Sequence, residues 1–254
     1  MRQRWPSRLW IVRHGQSAGN VARAAAYAAG QELIDIAVRD VDVPLSALGE
    51  AQAAALGHWF AEQPEAERPE VILSSPYLRA RQTAQALCSA MQGLCGRRGP
   101  ILDERLRERE FGILDRLTGA GIRARFPEQA EHRAMLGKFY HRPPGGESWA
   151  DVILRLRSAT DTVSLHHADR RVMIVAHEVV VLCMRYILEE LEEADVLAIG
   201  RTEPVLNCGV TEYVFQEDED ARSPARLVRY NFAAPLLAEQ APLTAEPDEI
   251  TGVR

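Results

Sequence analysis

Lysine is almost missing from this sequence. Lys138 is the only one among 254 residues, so nearly all of the positive charge is arginine. Genome composition produces such a bias, but it also suits the clamping of phosphate, because a guanidinium fork meets two oxygens where an ammonium is a point charge. Cysteine is scarce as well. Cys88, Cys95, Cys183 and Cys208 form no C-x-x-C pair, which argues against a zinc knuckle or a thioredoxin-type site. Nothing in their spacing suggests a disulfide framework, and a reducing cytoplasm is the expected setting. No apolar run approaches the roughly 20 residues that span a bilayer. The opening MRQRWPSRLWIVRHG lacks the apolar core and cleavage site of a signal peptide. A membrane association is therefore not expected. Positive charge is in deficit, with 30 Lys and Arg against 36 Asp and Glu, opposite to the balance of a nucleic-acid binder. A small basic pocket for an anion stays compatible with that balance, since net charge does not report local fields.

What is present reads as one α/β domain. The 46% apolar and 26% charged fractions are ordinary for a globular chain. Leu9 to Val12, Val71 to Leu73 and Val172 to Ala176 are short apolar runs of the kind buried on both faces of a parallel sheet. Helices are expected over Val21–Ala29, from Ala47 to about Gln63 with Ser46 as N-cap, and from Ser75-Pro76 to about Met91. A further one starts at the capping box of Ser148 and Asp151 and runs to about His167. Val179 to Leu188 is also read as helical, and Thr211–Phe215 and Leu227–Tyr230 as later strands. Strands alternating with long helices predict a three-layer, doubly wound α/β fold, its sheet mostly parallel with helices on both faces. The domain is taken as residues 1–234, with insertions near 21–41 and 112–145. The segment 235–254, rich in Pro and acid, is read as a disordered tail. Ile101 to Pro144 is charged and yields no clear elements.

Polar groups follow the three buried strands: Arg13-His14 after the first, Arg79 just inside the helix after the second, His177 after the third. The carboxyl edge of an open α/β sheet is where ligands bind. Two histidines and two arginines converging there predict a strongly cationic pocket with phosphate as its guest. Gly15 is read as a position where the backbone approaches the anion closely. Phosphoryl transfer needs a nucleophile, a clamp for the oxygens and an acid for the leaving group. Neutral imidazole can be the nucleophile near pH 7, and a carboxyl group of raised pKa can be the acid.

Five blocks in order resemble the histidine phosphatase (phosphoglycerate mutase-like) superfamily. They are Arg13-His14-Gly15-Gln16-Ser17-Ala18-Gly19-Asn20, Ser74 to Ala84 around Arg79, Leu106-Arg107-Glu108-Arg109-Glu110-Phe111-Gly112, Pro144-Gly145-Gly146-Glu147-Ser148, and Val172 to His177. Asn207 to Thr211 resembles the start of a later strand in that family. The resemblance implies that His14 is the nucleophile and that Arg13, Arg79 and His177 hold the phosphoryl group. It implies that Glu108 protonates the leaving oxygen and then activates water, with Asn20 and Gln16 as secondary substrate-binding positions. It implies no metal and no other cofactor. The expected partner is a small phosphorylated substrate, and a homo-oligomer stays open. Two departures stand out: Glu178 where the family has glycine after the second histidine, and a long stretch from Asn20 to Pro44.

Each of these residues has a plainer reading. A lone histidine is usually a satisfied core residue, and Glu108 lies in a charge run of the kind that is usually solvated. His166-His167 fit a helix C-terminus better than a metal site. Arg116, Arg123, Arg125, Lys138 and Arg142 are read as solvated, with some at the substrate mouth. Among rival functions, Ile34 to Val38 followed by Asp40-Val41-Asp42 mimics the strand-D-x-D start of a magnesium-dependent haloacid dehalogenase-type phosphatase. A phosphoglycerate mutase and a non-catalytic phospho-ligand binding module on the same fold are the other two.

Overall fold

The computed structural model describes residues 5–91, 95, 99–215 and 224–245. Strand β1 (Arg8–Arg13) lies inside a six-stranded sheet with β2 (Val71–Ser74), β3 (Ile101–Leu102), β4 (Arg171–Ala176), β5 (Val210–Phe215) and β6 (Ala225–Phe232), in the order β3-β2-β4-β1-β5-β6. The neighbours from β3 to β1 pair in parallel, and β5 runs antiparallel to both β1 and β6. The sheet is thus mixed but mostly parallel, as expected.

Alternation along β1 explains the layers. Leu9 and Ile11 point into one core with Val172 and Ile174, under helices α6 (Trp149–His166) and α7 (Glu178–Leu188). Trp10 and Val12 point into the other core with Met173 and Val175, under α2 (Ala47–Glu62) and α3 (Leu78–Ala90). Both faces of the strand are buried, so its continuous apolar run is what such a position demands. Burying one such side chain is worth about 1.5–3 kcal/mol, and this double burial fixes the strand ends in space.

The helix starts at Ser46 and at Ser148 with Asp151 stand where the sequence places them. The helix after β2 starts later than expected, at Leu78. Ser75 Oγ accepts the Tyr77 N–H at 3.2 Å, a local turn that competes with capping. The middle of the chain resolves into β3, α4 (Gly119–Arg125) and α5 (Pro127–Tyr140), the last kinked at Gly137, where φ is 78°. Helix α1 (Ala18–Ala28) matches the Ala-rich stretch; α8 (Glu193–Thr202) was not foreseen.

Two expectations are corrected. Residues 235–245 are not an irregular tail. α9 (Ala234–Ala238) buries Pro235 and Leu236, and Ala245 bridges to Leu206. Gln52 Nε2 donates to Pro242 O at 2.8 Å and to Thr244 Oγ1 at 3.0 Å. The acidic residues that gave the segment its composition are concentrated in 246–254, outside the described residues, whereas 235–245 is mostly apolar. The second correction concerns cysteine: Cys88 and Cys95 form a disulfide across a Cα–Cα distance of 5.5 Å. The pairing removes the argument from thiols for a reducing compartment. Cys183 and Cys208 are free and buried. Among the described residues no helix is long and apolar enough to cross a membrane.

Candidate active site

His14 follows β1 and is pinned from several sides. Its N–H donates to Ala176 O at 3.0 Å, and its carbonyl accepts from Asn207 Nδ2 at 3.0 Å. The Gly15 N–H donates to Thr83 Oγ1 at 3.1 Å, and the Thr83 hydroxyl donates to Arg79 O at 2.9 Å, so α3 is tied to the same turn. A Cβ on Gly15 would stand 2.5 Å from Gly49 O. The passage of α2 by itself therefore requires a glycine here.

The ring of His14 is held in one tautomer. Nδ1 lies 2.7 Å from Gly15 O, an acceptor only, and so carries the proton. Nε2 keeps its lone pair and accepts from Arg79 Nε at 3.2 Å. Burial, then Arg79 and Arg13, push the pKa well below the usual histidine value, which leaves the ring neutral near pH 7.

Arg13, Arg79 and His177 surround it, all of them buried. Arg13 Nη1 donates to Val205 O at 2.5 Å and lies 3.4 Å from Glu178 Oε2. His177 ends β4, its ring centroid 5.1 Å from that of His14. Its Nε2 is 2.7 Å from Ser75 Oγ. Ser75 Oγ accepts the Tyr77 N–H and keeps a hydrogen of its own; when that hydrogen is donated to Nε2, the His177 proton sits on Nδ1. That Nδ1 is buried without a hydrogen-bond partner and stands 3.9 Å from Glu108 Oε2. Burial, then Arg79 and His14, hold the His177 pKa well below the usual value.

Glu108 completes the group. Its side chain is 14% exposed, and its Oε1 accepts the Arg109 N–H at 2.8 Å. Burial raises its pKa to about 7; Asp40 and Glu178 push the same way, against Arg79 and the Arg109 N–H. The loop that carries it is braced by Glu147, which takes Arg107 at 2.6 Å and Arg155 at 2.9 Å, while Arg155 Nη2 donates to Glu108 O at 3.2 Å. This is the local work of the Gly-Gly-Glu-Ser block: Glu147 N donates to Glu110 O at 2.9 Å and locks the two loops together.

The two insertions form the roof of a cavity of about 210 Å³ over these groups. Thr118 N donates to Glu32 O at 3.0 Å and Ile34 N to Arg116 O at 2.9 Å. Arg116 Nη1 donates to Ile36 O at 3.0 Å. Ile34, Ile36, Phe111 and Leu114 give apolar wall, and Arg116, Arg133 and Lys138 also line the space. The expected cationic pocket is therefore only partly realised, because Asp40, Asp115 and Glu178 line it too. Asp40 was missed as a site residue and takes Arg79 in a paired ion contact, Nη1 to Oδ1 at 2.9 Å and Nη2 to Oδ2 at 3.2 Å.

Asn20 lines the cavity, with Oδ1 accepting the Ser17 N–H at 2.8 Å in the capping box of α1. Gln16 does not. Its Oε1 accepts from Ser46 Oγ at 2.7 Å, which ties it to the start of α2. The D-x-D rival also fails locally. Ile34 to Val38 is no strand, Asp40–Asp42 is a single 3-10 turn, and Asp42 pairs with Arg39 at 3.1 Å on the surface. His166 and His167 end α6 as expected. Among the described residues no three His, Cys, Asp or Glu side chains are grouped to hold a metal ion.

Two neutral imidazoles, two arginines and a carboxyl group of raised pKa at the carboxyl edge of a parallel sheet define a site suited to phosphoryl transfer. The chain belongs to the histidine phosphatase superfamily (branch 1), whose family model matches residues 9–224. It is 31% identical over 180 residues to the 6-phosphofructo-2-kinase/fructose-2,6-bisphosphatase of Caenorhabditis elegans, spanning 70% of this chain but only 33% of that protein. It is 30% identical over 178 residues to the probable phosphoglycerate mutase GpmB of Yersinia enterocolitica, 69% of this chain and 72% of that one. Among solved structures, a mycobacterial glucosyl-3-phosphoglycerate phosphatase superposes with a TM-score of 0.66 at 29% identity over 91% of this chain and 99% of that chain. A putative α-ribazole-5'-P phosphatase from Escherichia coli K-12, with a TM-score of 0.68 at 18% identity over 90% of this chain and 97% of that chain, shares the fold.

Proposed function

We propose that the protein is a metal-independent phosphatase that hydrolyses a small phosphomonoester through a phosphohistidine on His14. The observation that carries the proposal is the pairing of states: a neutral His14 on the cavity wall whose unprotonated Nε2 accepts from Arg79 Nε, and beside it a Glu108 that is still largely protonated below pH 7. In the first step the Arg79 Nε–H turns from Nε2 to a phosphoryl oxygen, the freed Nε2 lone pair forms the N–P bond, the bond from phosphorus to the ester oxygen breaks, and Glu108 gives that oxygen its proton. Arg13, Arg79 and the His177 Nδ1–H stabilise the charge on the three equatorial oxygens. In the second step a water oxygen attacks phosphorus, Glu108 takes its proton, and His14 leaves as the neutral ring. The positive charge of the fixed groups does the work for which other phosphatases recruit a divalent cation.

A non-catalytic binding module has no use for a protonated carboxyl beside the nucleophile. A mutase-type transfer is the second reading, favoured by Arg116, Arg133 and Lys138 on the cavity wall. Glu178 near Arg13 and Asp40 on Arg79 oppose an acceptor that carries both a phosphate and a carboxylate, which leaves water as the better acceptor. Incubation with a labelled phosphomonoester followed by quenching should leave acid-labile, base-stable phosphate on His14. His14→Ala should abolish both label and phosphate release, and exhaustive chelation should leave the rate unchanged. Full turnover in His14→Ala defeats the proposal. Interconversion of 2- and 3-phosphoglycerate with negligible phosphate release turns it into the mutase reading.

A further inference from the structure

Arg79 is nearly saturated by groups of the protein itself. Its Nε donates to His14 Nε2 at 3.2 Å, its Nη1 to Asp40 O at 2.7 Å and to Asp40 Oδ1 at 2.9 Å, and its Nη2 to Asp40 Oδ2 at 3.2 Å. A guanidinium has five N–H bonds, so a single one is left for a phosphoryl oxygen. The paired geometry that Asp40 adopts is the one phosphate itself would use.

The two partners are not equally free to move. The Arg79 side chain is 6% exposed and held at its Nε by His14, whereas the Asp40 side chain is 39% exposed. Asp40 stands on a single 3-10 turn in the roof, and water can take over its carboxylate as it swings away. Displacement therefore falls on Asp40, while Arg79 stays aimed at His14.

We propose that Asp40 is a specificity-determining residue: a tethered anion that pairs with the Arg79 fork and yields it only to a phosphoryl group. A phosphoryl dianion gains Arg13 and His177 along with Arg79, which offsets the lost ion pair. A singly charged carboxylate offers little beyond what Asp40 already provides, and it stays out. The inference rests on the phosphoryl-pocket reading above, but its test needs no turnover.

The test is calorimetric titration of the full-length protein with inorganic phosphate and, separately, with acetate. Asp40→Asn keeps the shape and removes the charge. It should bind phosphate about tenfold tighter, the low end of what a charge-assisted competitor contributes when it is partly solvated. It should also acquire measurable acetate binding. Asp42→Asn removes the same charge two residues away, where the partner is Arg39 on the surface, and should bind phosphate as the parent does. With a phosphomonoester, Asp40→Asn should lower KM without raising kcat. Phosphate binding that is unchanged or weaker in Asp40→Asn overturns the proposal and makes Asp40 a support for Arg79. An equal gain in Asp42→Asn also overturns it, since the effect is then one of general field. Absence of turnover in the parent counts against the phosphatase reading alone, because the phosphate titration still decides the role of Asp40.

Discussion

The floor of the cavity hangs from strand ends, and its roof is made of two irregular insertions leaning on each other. Arg13, His14 and His177 sit at or one residue beyond strands buried on both faces, with backbone hydrogen bonds from the next strand on His14. The roof segments meet through a few backbone contacts, among them Thr118 to Glu32 and Ile34 to Arg116, and present half-buried Ile34 and Ile36 to the space below. Groups that must hold fixed positions against charge development belong where the chain cannot yield. Groups that admit or refuse a ligand belong where displacement costs little. The floor should accordingly govern kcat and the roof KM.

The sharpest test of the floor is its acid. Glu108→Gln should lower kcat by about 10²–10⁴-fold for an ester with a poor leaving group, the usual worth of a positioned acid. An ester whose leaving oxygen needs no proton, such as p-nitrophenyl phosphate, should lose much less in the first step. The pH dependence has a definite sign. Glu108 must be protonated to act as the acid, and burial lifts its pKa to about 7, so activity falls as pH rises through that value. His14 must be neutral, and its pKa is depressed, so the acid-side loss lies well below the usual histidine range. The optimum is thus acidic to neutral. A profile still rising above pH 8 would remove Glu108 from this role.

Arg79 joins the two regions, since it touches His14 below and Asp40 above. Arg79→Ala should cost about 10²–10³-fold in kcat, as for loss of one electrostatic stabiliser of the transition state. Arg79→Lys should recover only part, because an ammonium cannot reproduce the paired hold of a guanidinium fork on two phosphoryl oxygens. A loss of less than twofold in Arg79→Ala would place Arg79 outside the working site and dissolve the link between floor and roof.

The same contrast decides what the sequence could disclose. That Arg13, Arg79 and His177 would meet around His14 was legible because strands of continuous apolar residues predict their own ends, and that Glu108 would join them was legible only from its block before Phe111-Gly112. Asp40 was not, because its partner is 39 residues away on another element and its own neighbours read as a D-x-D motif. Gln16 shows the converse: only two residues after His14 in sequence, its side chain is tied to Ser46. The pairing of Cys88 with Cys95 was hidden too, since a spacing of seven is no recognised motif and depends on how the chain turns after α3. Residues 235–245 were misread because the acid beyond them set the composition of the whole segment.

The smallest effect is expected in the roof, where the comparison is most exposed to failure. The Thr118 hydroxyl donates to Gln31 O at 2.7 Å and accepts the Gly121 N–H at 3.2 Å, so one group both joins the two insertions and caps α4. Thr118→Val keeps the shape and removes both bonds. Loss of the cap should cost about 1 kcal/mol, or a fall in Tm of about 2–4 °C for a chain of this size. Loosening the roof should raise KM by about two- to fivefold, since a lost neutral hydrogen bond is worth about 0.5–1.5 kcal/mol. The value of kcat should hold, because no strand end moves and the bonds on His14 are untouched. Kinetics on a slow phosphomonoester, with thermal melts alongside, separate the two regions. A tenfold fall in kcat at unchanged KM would mean that the roof sets the geometry of His14 and Glu108, and that floor and roof act as one unit.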